Sequence, residues 1–303
     1  MRRILDAAAG QRSPMKLSII ILNYNSGALL AECLDSLFAS GLPFRHEVIV
    51  PDNASTDASL DSAVQKWGPR LQTIPTGANG GFAWGNNIGI RASRGEYVCL
   101  LNPDTVIRPG AFPKLVALMD AHPRAGFAGP KVLNQDGSFQ LSARRSIPTP
   151  FDAMARALLL SKLFPRSPRL ARYNLTYLDP GLTQKVDACT GCCMMARRAM
   201  LDQIGLLDEG YFIYCEDVDW FLRAKEAGWE VWYVAEAVIE HHNAYSERFR
   251  RADAVRDFHR SMVRFYRKHY ARRYPFLVNW AVYAAVWARM GLVMGCKALK
   301  GWK

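Results

Sequence analysis

Residues 17–22 read LSIIIL, a run rich in β-branched side chains, and the next four residues, Asn23, Tyr24, Asn25 and Ser26, break it with polar groups. A near-continuous apolar run predicts a strand covered on both faces, as in a parallel sheet. Working outward, the same unit repeats. Leu29, Leu30, Cys33, Leu34, Leu37 and Phe38 recur at helical spacing and stop at Gly41. A second strand over 47–50 ends in Pro51, Asp52 and Asn53. A second helix is predicted over 58–67 and a third strand over 71–74; a Gly/Asn-rich stretch, 76–89, then leads through a helix to a strand over 97–101. Short buried strands alternating with helices predict an α/β fold with a mainly parallel sheet flanked by helices. Ligands of such sheets bind beyond the carboxyl ends of strands, and the polar clusters 23–26, 51–57 and 102–105 each follow a strand there.

The second half is less regular. Residues 134–185 contain Pro148, Pro150, Pro165, Pro168 and Pro180 and read as loops and short helices, part of an acceptor site. A strand-like run over 186–195, a helix near 197–204, an acidic helix opening at Glu216 and closed by Gly228, and a strand over 230–234 follow. The expected organisation is a disordered lead-in over 1–14, a catalytic domain over 15–245 and a helical tail over 246–303. The catalytic domain divides into a nucleotide half, about 15–105, and an acceptor half, about 106–245. The lead-in has no apolar core of a secretory signal, and Met15 would serve equally well as a start.

The net charge of +12 on 303 residues is unevenly placed. Residues 246–303 hold 14 of the 39 Lys and Arg and 3 of the 27 Asp and Glu, so the tail carries +11 and the remainder +1. Between 247 and 274 the basic residues alternate with Phe249, Phe258, Met262, Phe265, Tyr266 and Tyr270, a pattern for a cationic amphipathic helix. The apolar run 276–296 is long enough to span a bilayer, but Asn279 and Arg289 interrupt it, which favours a helix lying in the interface. A helix packed on the catalytic domain is the other reading. An anionic membrane surface is the expected partner; nucleic acid is not, because no DNA- or RNA-reading motif accompanies the charge. Seven cysteines, an odd number without a framework, point to a reducing compartment. Cys189, Cys192 and Cys193 enclose a CxxC, but without a second pair they read as buried small hydrophobes rather than zinc ligands.

Each chemical candidate has a plain structural alternative. Residues 52–57 could be only an N-cap run opening the next helix, or Asp52 could accept the N3–H of a pyrimidine while Ser55 or Thr56 caps. Asn102-Pro103-Asp104 is ordinary turn chemistry, or a carboxylate for a divalent cation that grips a diphosphate. The stretch 79–87 (NGGFAWGNN) is glycine-dense, but no GxGxxG follows the first strand, so NAD binding is disfavoured. Glu216, Asp217 and Asp219 complement a helix dipole, or one of them is a general base whose pKa the others raise. His241 and His242 are a core pair, or one supplies a metal ligand.

In this order the strings SIIILNYN (18–25), DNAST (52–56), NGGFAWGNNIG (79–89), LLNPDT (100–105), ACTGCCMMARR (188–198), DEGYFIYCEDVDW (208–220) and AVIEHH (237–242) resemble glycosyltransferase family 2, particularly its bacterial rhamnosyltransferase-like members. The resemblance covers about 16–246 and implies a GT-A fold. It implies that Asp52 reads the base with Asn23, Tyr24, Asn25 and Asn53 beside it, and that Asn79, Gly80, Asn87 and Asn102 belong to the donor site. It also implies that Asp104 is the metal carboxylate of a DXD element whose first acid is here an amide, with His241 rather than His242 as a further ligand. Asp217 matches the catalytic base, with Glu216 and Asp219 as supporting acids. The implied chemistry is single displacement with inversion, assisted by Mg²⁺ or Mn²⁺. The implied donor is dTDP-L-rhamnose first and a UDP-hexose second; the implied acceptor is a lipid-linked or cell-envelope polysaccharide at the cytoplasmic face of the membrane. A non-catalytic glycan-binding protein of the same fold is the rival class, against which the presence of Asp52, Asp104, Asp217 and His241 speaks.

Overall fold

The computed structural model describes residues 14–242 and 252–299. The expected lead-in, apart from Pro14, and the start of the tail up to 251 lie outside the described residues.

The first half forms β1 (Leu17–Ile20), α1 (Leu29–Ala39), β2 (His46–Asp52), α2 (Ser59–Trp67), β3 (Leu71–Pro75), α3 (Phe82–Ala92) and β4 (Tyr97–Leu101). These strands run parallel in the order β3-β2-β1-β4. The chain therefore moves outward from β1 and returns on its other side at β4, which opens a crevice at the carboxyl ends of β1 and β4. The unbroken apolar runs have the expected cause. Leu17, Ile19 and Ile21 pack with Leu30, Cys33, Leu34 and Leu37 of α1 on one face. Ile20, Ile49, Val98 and Leu100 pack on the other, against Ala83 and Ile90 of α3. Close approach of α3 explains much of the glycine in 79–89: a Cβ at Gly85 would lie 2.4 Å from Leu22, and one at Gly89 would lie 2.5 Å from Ile20.

The second half adds β5 (Thr105–Ile107), α4 (Ala111–Ala121), β6 (Ala125–Leu133), β7 (Arg144–Arg145), α5 (Pro150–Ala157), α6 (Leu160–Leu163), β8 (Gln184–Val186), β9 (Ala188–Cys189), β10 (Cys193–Arg197), α7 (Arg198–Ile204), α8 (Glu216–Glu226) and β11 (Glu230–His241). The sheet is mixed. Strand β10 inserts antiparallel between β4 and β6, β11 runs parallel to β6, and β5 and β8 pair antiparallel with β11. The run at 186–195 is split by a turn over 190–192, and β9 leaves the sheet to pair with β7. Strand β11 is longer than its sequence pattern announced. A register shift between Val234 and Val238 lets its first part pair with β8 and its last part with β5, and this carries the strand on to His241.

Two helices close the chain, α9 (Ala252–His269) and α10 (Phe276–Leu299). Helix α9 packs on the catalytic domain: Phe265 and Tyr266 enter the core that holds Trp220 and Phe221 of α8, and Ser261 donates a hydrogen bond to the Ile213 carbonyl. Its cations meet domain acids, Arg264 and Lys268 at Asp208 and Arg273 (just past the helix) at Glu226. The cationic helix expected between 247 and 274 thus spends part of its charge on the acids of the domain. Helix α10 folds back antiparallel along α9: the Tyr266 hydroxyl donates to Asn279 at 2.6 Å, and Arg289 donates to His259 at 2.8 Å. Only Val286 of α10 is buried. The helix is long and apolar enough to cross a membrane by length and composition, with a mean hydropathy of 1.4.

Candidate active site

At the ends of β1 and β2 lies a buried network of neutral donors around one carboxylate. The Asn23 amide donates to Asp52 Oδ1 at 2.7 Å and to the Ser59 hydroxyl at 3.0 Å. Ser55 donates its backbone N–H to Asp52 Oδ2 at 3.0 Å and its hydroxyl to Oδ1 at 2.7 Å. Asp52 thus terminates the strand and holds the turn before α2. A carboxylate has about four acceptor positions, so one on Oδ2 stays open for a ligand N–H. Asn23 is fully buried and positions Asp52. Asn25 Oδ1 accepts the Thr56 N–H at 2.6 Å, and Tyr24 is half-buried between the two asparagines. Asn53 donates to the Gly81 carbonyl at 3.0 Å and to Asn79 at 3.3 Å; Asn79 itself is exposed. Gly80 lies under the Trp84 indole, where a Cβ would come within 2.3 Å of the ring.

Asn87, expected in the donor site, lies in α3. It is buried and clamps the 205–210 loop, donating to the Leu207 carbonyl at 2.9 Å while its own oxygen accepts the Leu207 N–H at 3.1 Å. Both ends of its amide are engaged there, and its nitrogen also donates to Glu209 at 2.9 Å, so in this structure it ties α3 to that loop.

Beyond β4, the Asn102 N–H donates to the Cys192 carbonyl at 2.8 Å, which ties the 102–105 turn to the 190–192 turn. Asp104 is buried, and its Oδ1 stands 3.2 Å from Nε2 of His241 at the end of β11. The backbone N–H of His242 donates to the Asp104 carbonyl at 2.9 Å, so of the two histidines it is His241 that faces the carboxylate. Burial works to lower the His241 pKa, but the Cys192 sulfur and the Asp104 carboxylate outweigh it and raise it to about 10. Donors 3.2 Å apart match neighbouring corners of an octahedron with bonds of about 2.1 Å, whose corners lie about 3 Å apart. Among the described residues no cluster of three such ligands forms. Two protein ligands with the rest from phosphate and water is ordinary for Mg²⁺-type sites.

Helix α8 delivers the acids of the third wall. Tyr214 and Cys215, just before it, both have positive φ, at 69° and 65°. Such left-handed residues cost of order 1–3 kcal/mol each and persist where the surroundings impose them. The sharp turn starts α8 with Glu216 and Asp217. Asp217 Oδ2 accepts from Arg145 Nη2 at 2.6 Å, and Oδ1 accepts the Val218 N–H at 2.8 Å. A Cβ at Gly191 would lie 3.2 Å from Asp217 Oδ2, so glycine there leaves the carboxylate uncrowded. Arg145 also donates to the Cys189 carbonyl at 3.0 Å. The sequence analysis missed it, because only the pairing of β7 with β9 brings this arginine to the carboxylate.

The three acids of this turn have different fates. Glu216 is buried and its Oε2 lacks a hydrogen bond; burial first, then the charge of Asp217, raise its pKa well above the usual carboxylate range. The carboxyl pushed up by burial and like charge is thus Glu216. Asp219, expected as a supporting acid, is fully buried. It faces α9, from which Lys268 and His269 approach it at 2.6 and 2.7 Å, and Arg223, one turn further along α8, approaches it at 2.9 Å. Burial alone would raise its pKa, but hydrogen bonds from His269 and Lys268 and the Arg223 charge bring it down to about 2. Asp219 joins α8 to α9.

The 190–192 turn thus touches Asn102, Asp217 and the surroundings of His241, while Asp52 ends the strand beside β1. A cavity of about 480 Å³ lined by Arg172, Lys225 and Glu230 lies at the far end of α8 and contains none of these acids.

A half-parallel sheet with polar residues at the ends of β1, β2 and β4, a buried carboxylate–imidazole pair and an acid at a helix start define a nucleotide-sugar transferase of the GT-A type. The Glycosyl transferase family 2 model matches residues 18–205, and the chain belongs to that family. It is 35% identical over 76% of its length, and 77% of the relative's, to an N-acetylglucosaminyl-diphospho-decaprenol L-rhamnosyltransferase of Mycobacterium tuberculosis. It is 26% identical, over 71% of the chain and 79% of the relative, to the rhamnosyltransferase WbbL of Escherichia coli. Among solved structures, the fold resembles a mannosyltransferase of Pyrobaculum calidifontis in complex with GDP-Man and Mn²⁺, with a TM-score of 0.59 at 17% identity over 95% of this chain and 78% of that one. The protein is a glycosyltransferase.

Proposed function

We propose that the enzyme transfers L-rhamnose from dTDP-L-rhamnose, with inversion, to a lipid-linked glycan acceptor at the cytoplasmic face of a membrane. The observation that carries this reading is Asp217, a carboxylate fixed at the start of α8 beside the turn that also holds Asn102. The 35% identity to a rhamnosyltransferase of a diphospho-decaprenol acceptor supports the sugar and the acceptor class.

In the proposed mechanism Asp52 accepts the N3–H of the pyrimidine at its open Oδ2 position, held in place by Asn23 and Ser55. Asp104 and His241 would hold a divalent cation, Mg²⁺ or Mn²⁺. When bound, such an ion neutralises charge developing on the leaving diphosphate. Asp217 takes the proton of the acceptor hydroxyl at Oδ1, while Arg145 holds Oδ2 and so sets the direction of the carboxylate. The hydroxyl oxygen attacks the anomeric carbon from the face opposite the diphosphate. Burial and the charge of Asp217 raise the Glu216 pKa well above the usual carboxylate range, which weakens the tendency of Glu216 to add a second negative charge beside the base.

Nucleoside diphosphate release from dTDP-L-rhamnose and from UDP-hexoses, with membrane extract as acceptor source, tests the reading. Release from dTDP-L-rhamnose well above the UDP-hexoses is expected. A preference for a UDP-hexose would move the donor assignment, and no release from any donor would favour a non-catalytic glycan-binding protein. Helix α10 is proposed to lie on the membrane rather than span it. Its antiparallel pairing with the domain-bound α9, and Arg289 near its middle, support that arrangement.

A further inference from the structure

Helix α5 is turned inside out relative to an ordinary surface helix. The Thr149 hydroxyl accepts the Asp152 N–H at 3.2 Å, and Asp152 Oδ2 accepts the Thr149 N–H at 2.9 Å. This capping box, with Arg172 3.3 Å from the same carboxylate, rotates Asp152 and Ala155 inward. The outward face is then Phe151, Met154 and Leu158, at 47%, 48% and 60% exposure. Leu159, Leu163 and Phe164 carry the apolar surface on through α6. Single exposed apolar side chains need no explanation, but six within one short segment form a patch.

Arg156, Lys162, Arg166 and Arg169 stand among them, all exposed, and none makes an ion pair among the described residues. The segment borders the terminal helices. Asp152 and Arg172 act electrostatically on Tyr270, and Arg156 acts on Arg289 of α10. Arg289 in turn has the His259 ring nitrogen and the face of Phe258 beside it, and no carboxylate pairs with it among the described residues. Two guanidinium groups thus act on one another through space, and neither has a carboxylate partner among the described residues. A self-complementary dimer through this face would set the same unpaired cations against their own copies, which disfavours a second chain as the occupant. An anionic lipid surface supplies both missing parts, acyl chains for the leucines and phosphates for the cations.

We propose that α5–α6 is a second lipid-contacting element, which together with α10 seats the enzyme on an anionic bilayer. The proposal rests on the membrane reading of α10 and adds a region far from it in sequence. It is tested by flotation of the full-length protein with phosphatidylglycerol-containing vesicles and with pure phosphatidylcholine vesicles. The wild type is expected to float with the first and poorly with the second. The combined Phe151→Ser, Leu158→Ser and Leu163→Ser variant should bind at least about tenfold more weakly, at an unchanged thermal midpoint. Lys162→Gln with Arg166→Gln and Arg169→Gln should reduce the preference for the anionic vesicles. If the apolar variant floats like the wild type while Trp280→Ser with Leu292→Ser does not, α5–α6 is not a lipid contact and the α10 reading stands alone. If the wild type fails to float, both fall. A wild-type dimer that the apolar variant converts to monomer in light scattering would overturn the proposal in favour of self-association.

Discussion

The two sides of the cleft hold their carboxylates in opposite ways. At the ends of β1 and β2, Asp52 is held by neutral groups, the Asn23 amide and the Ser55 hydroxyl and N–H. Across the crevice two acids face a cationic or ionisable partner: Asp104 meets His241 at 3.2 Å, and Asp217 meets Arg145 at 2.6 Å. Neutral donors leave a rigid, pre-formed acceptor suited to recognising a base. A charged partner fixes direction and compensates charge, and the arrangement changes when the acid binds a metal or takes a proton. Asp219 is a third case, since its three partners tie it into the fold.

Breaking the charged side should have the largest effect. Asp217→Asn is expected to lower kcat by about 10²–10⁴ while donor affinity, read by thermal shift, stays near wild type. Wild-type turnover would remove Asp217 from the base role. Chelation with EDTA should abolish turnover, with recovery on adding Mn²⁺ or Mg²⁺, and Asp104→Asn should weaken that recovery by about tenfold or more. Unchanged activity in EDTA would mean that Asp104 and His241 form only an internal pair.

The positioning role of Arg145 predicts a smaller, separable loss. Arg145→Lys should lower kcat by about tenfold or more, since the planar Nη2 group that donates to both the Cys189 carbonyl and Asp217 Oδ2 is lost, and should leave the donor KM unchanged. Equal changes in both parameters would argue for a donor contact instead.

The structural acid should respond in stability and not in chemistry. Asp219→Asn is expected to cost about 2 kcal/mol at pH 7, because the carboxyl pKa is near 2 in the fold against about 3.9 when unfolded. A depressed pKa stabilises above the unfolded value, and the contribution disappears as pH falls through the folded one. The gap between wild type and variant in urea unfolding should therefore narrow between about pH 5 and pH 2. The smallest effect is expected for Asn87→Ala, about 1 kcal/mol of stability and no change in donor affinity. A clear loss of donor affinity would return Asn87 to the donor site.

Much of the first half was legible because its evidence is local. The unbroken apolar run at 17–22 meant burial on both faces, and the polar clusters behind β1, β2 and β4 marked the sheet end where ligands bind. Family strings pointed to Asp52, Asp104, Asp217 and His241 because each lies within a short, ordered motif. The mixed character of the sheet was not legible, since strand direction at β10 depends on which neighbours it meets. The basic tail misled in part for the same reason. Periodicity reveals that α9 has a cationic face, but not that Asp208, Asp219 and Glu226 of the domain wait opposite it.

Sequence alone determined the alternation of strands and helices, the position of the ligand-binding edge and the family, because these follow from side-chain order along the chain. Tertiary structure alone decided that Arg145 holds Asp217, that Asn87 bonds the 205–210 loop and Asp219 the helix α9, and that α5 turns its apolar face outward. Those outcomes depend on which groups, remote in the chain, come within about 3 Å in space, where hydrogen bonds and ion pairs are made or lost.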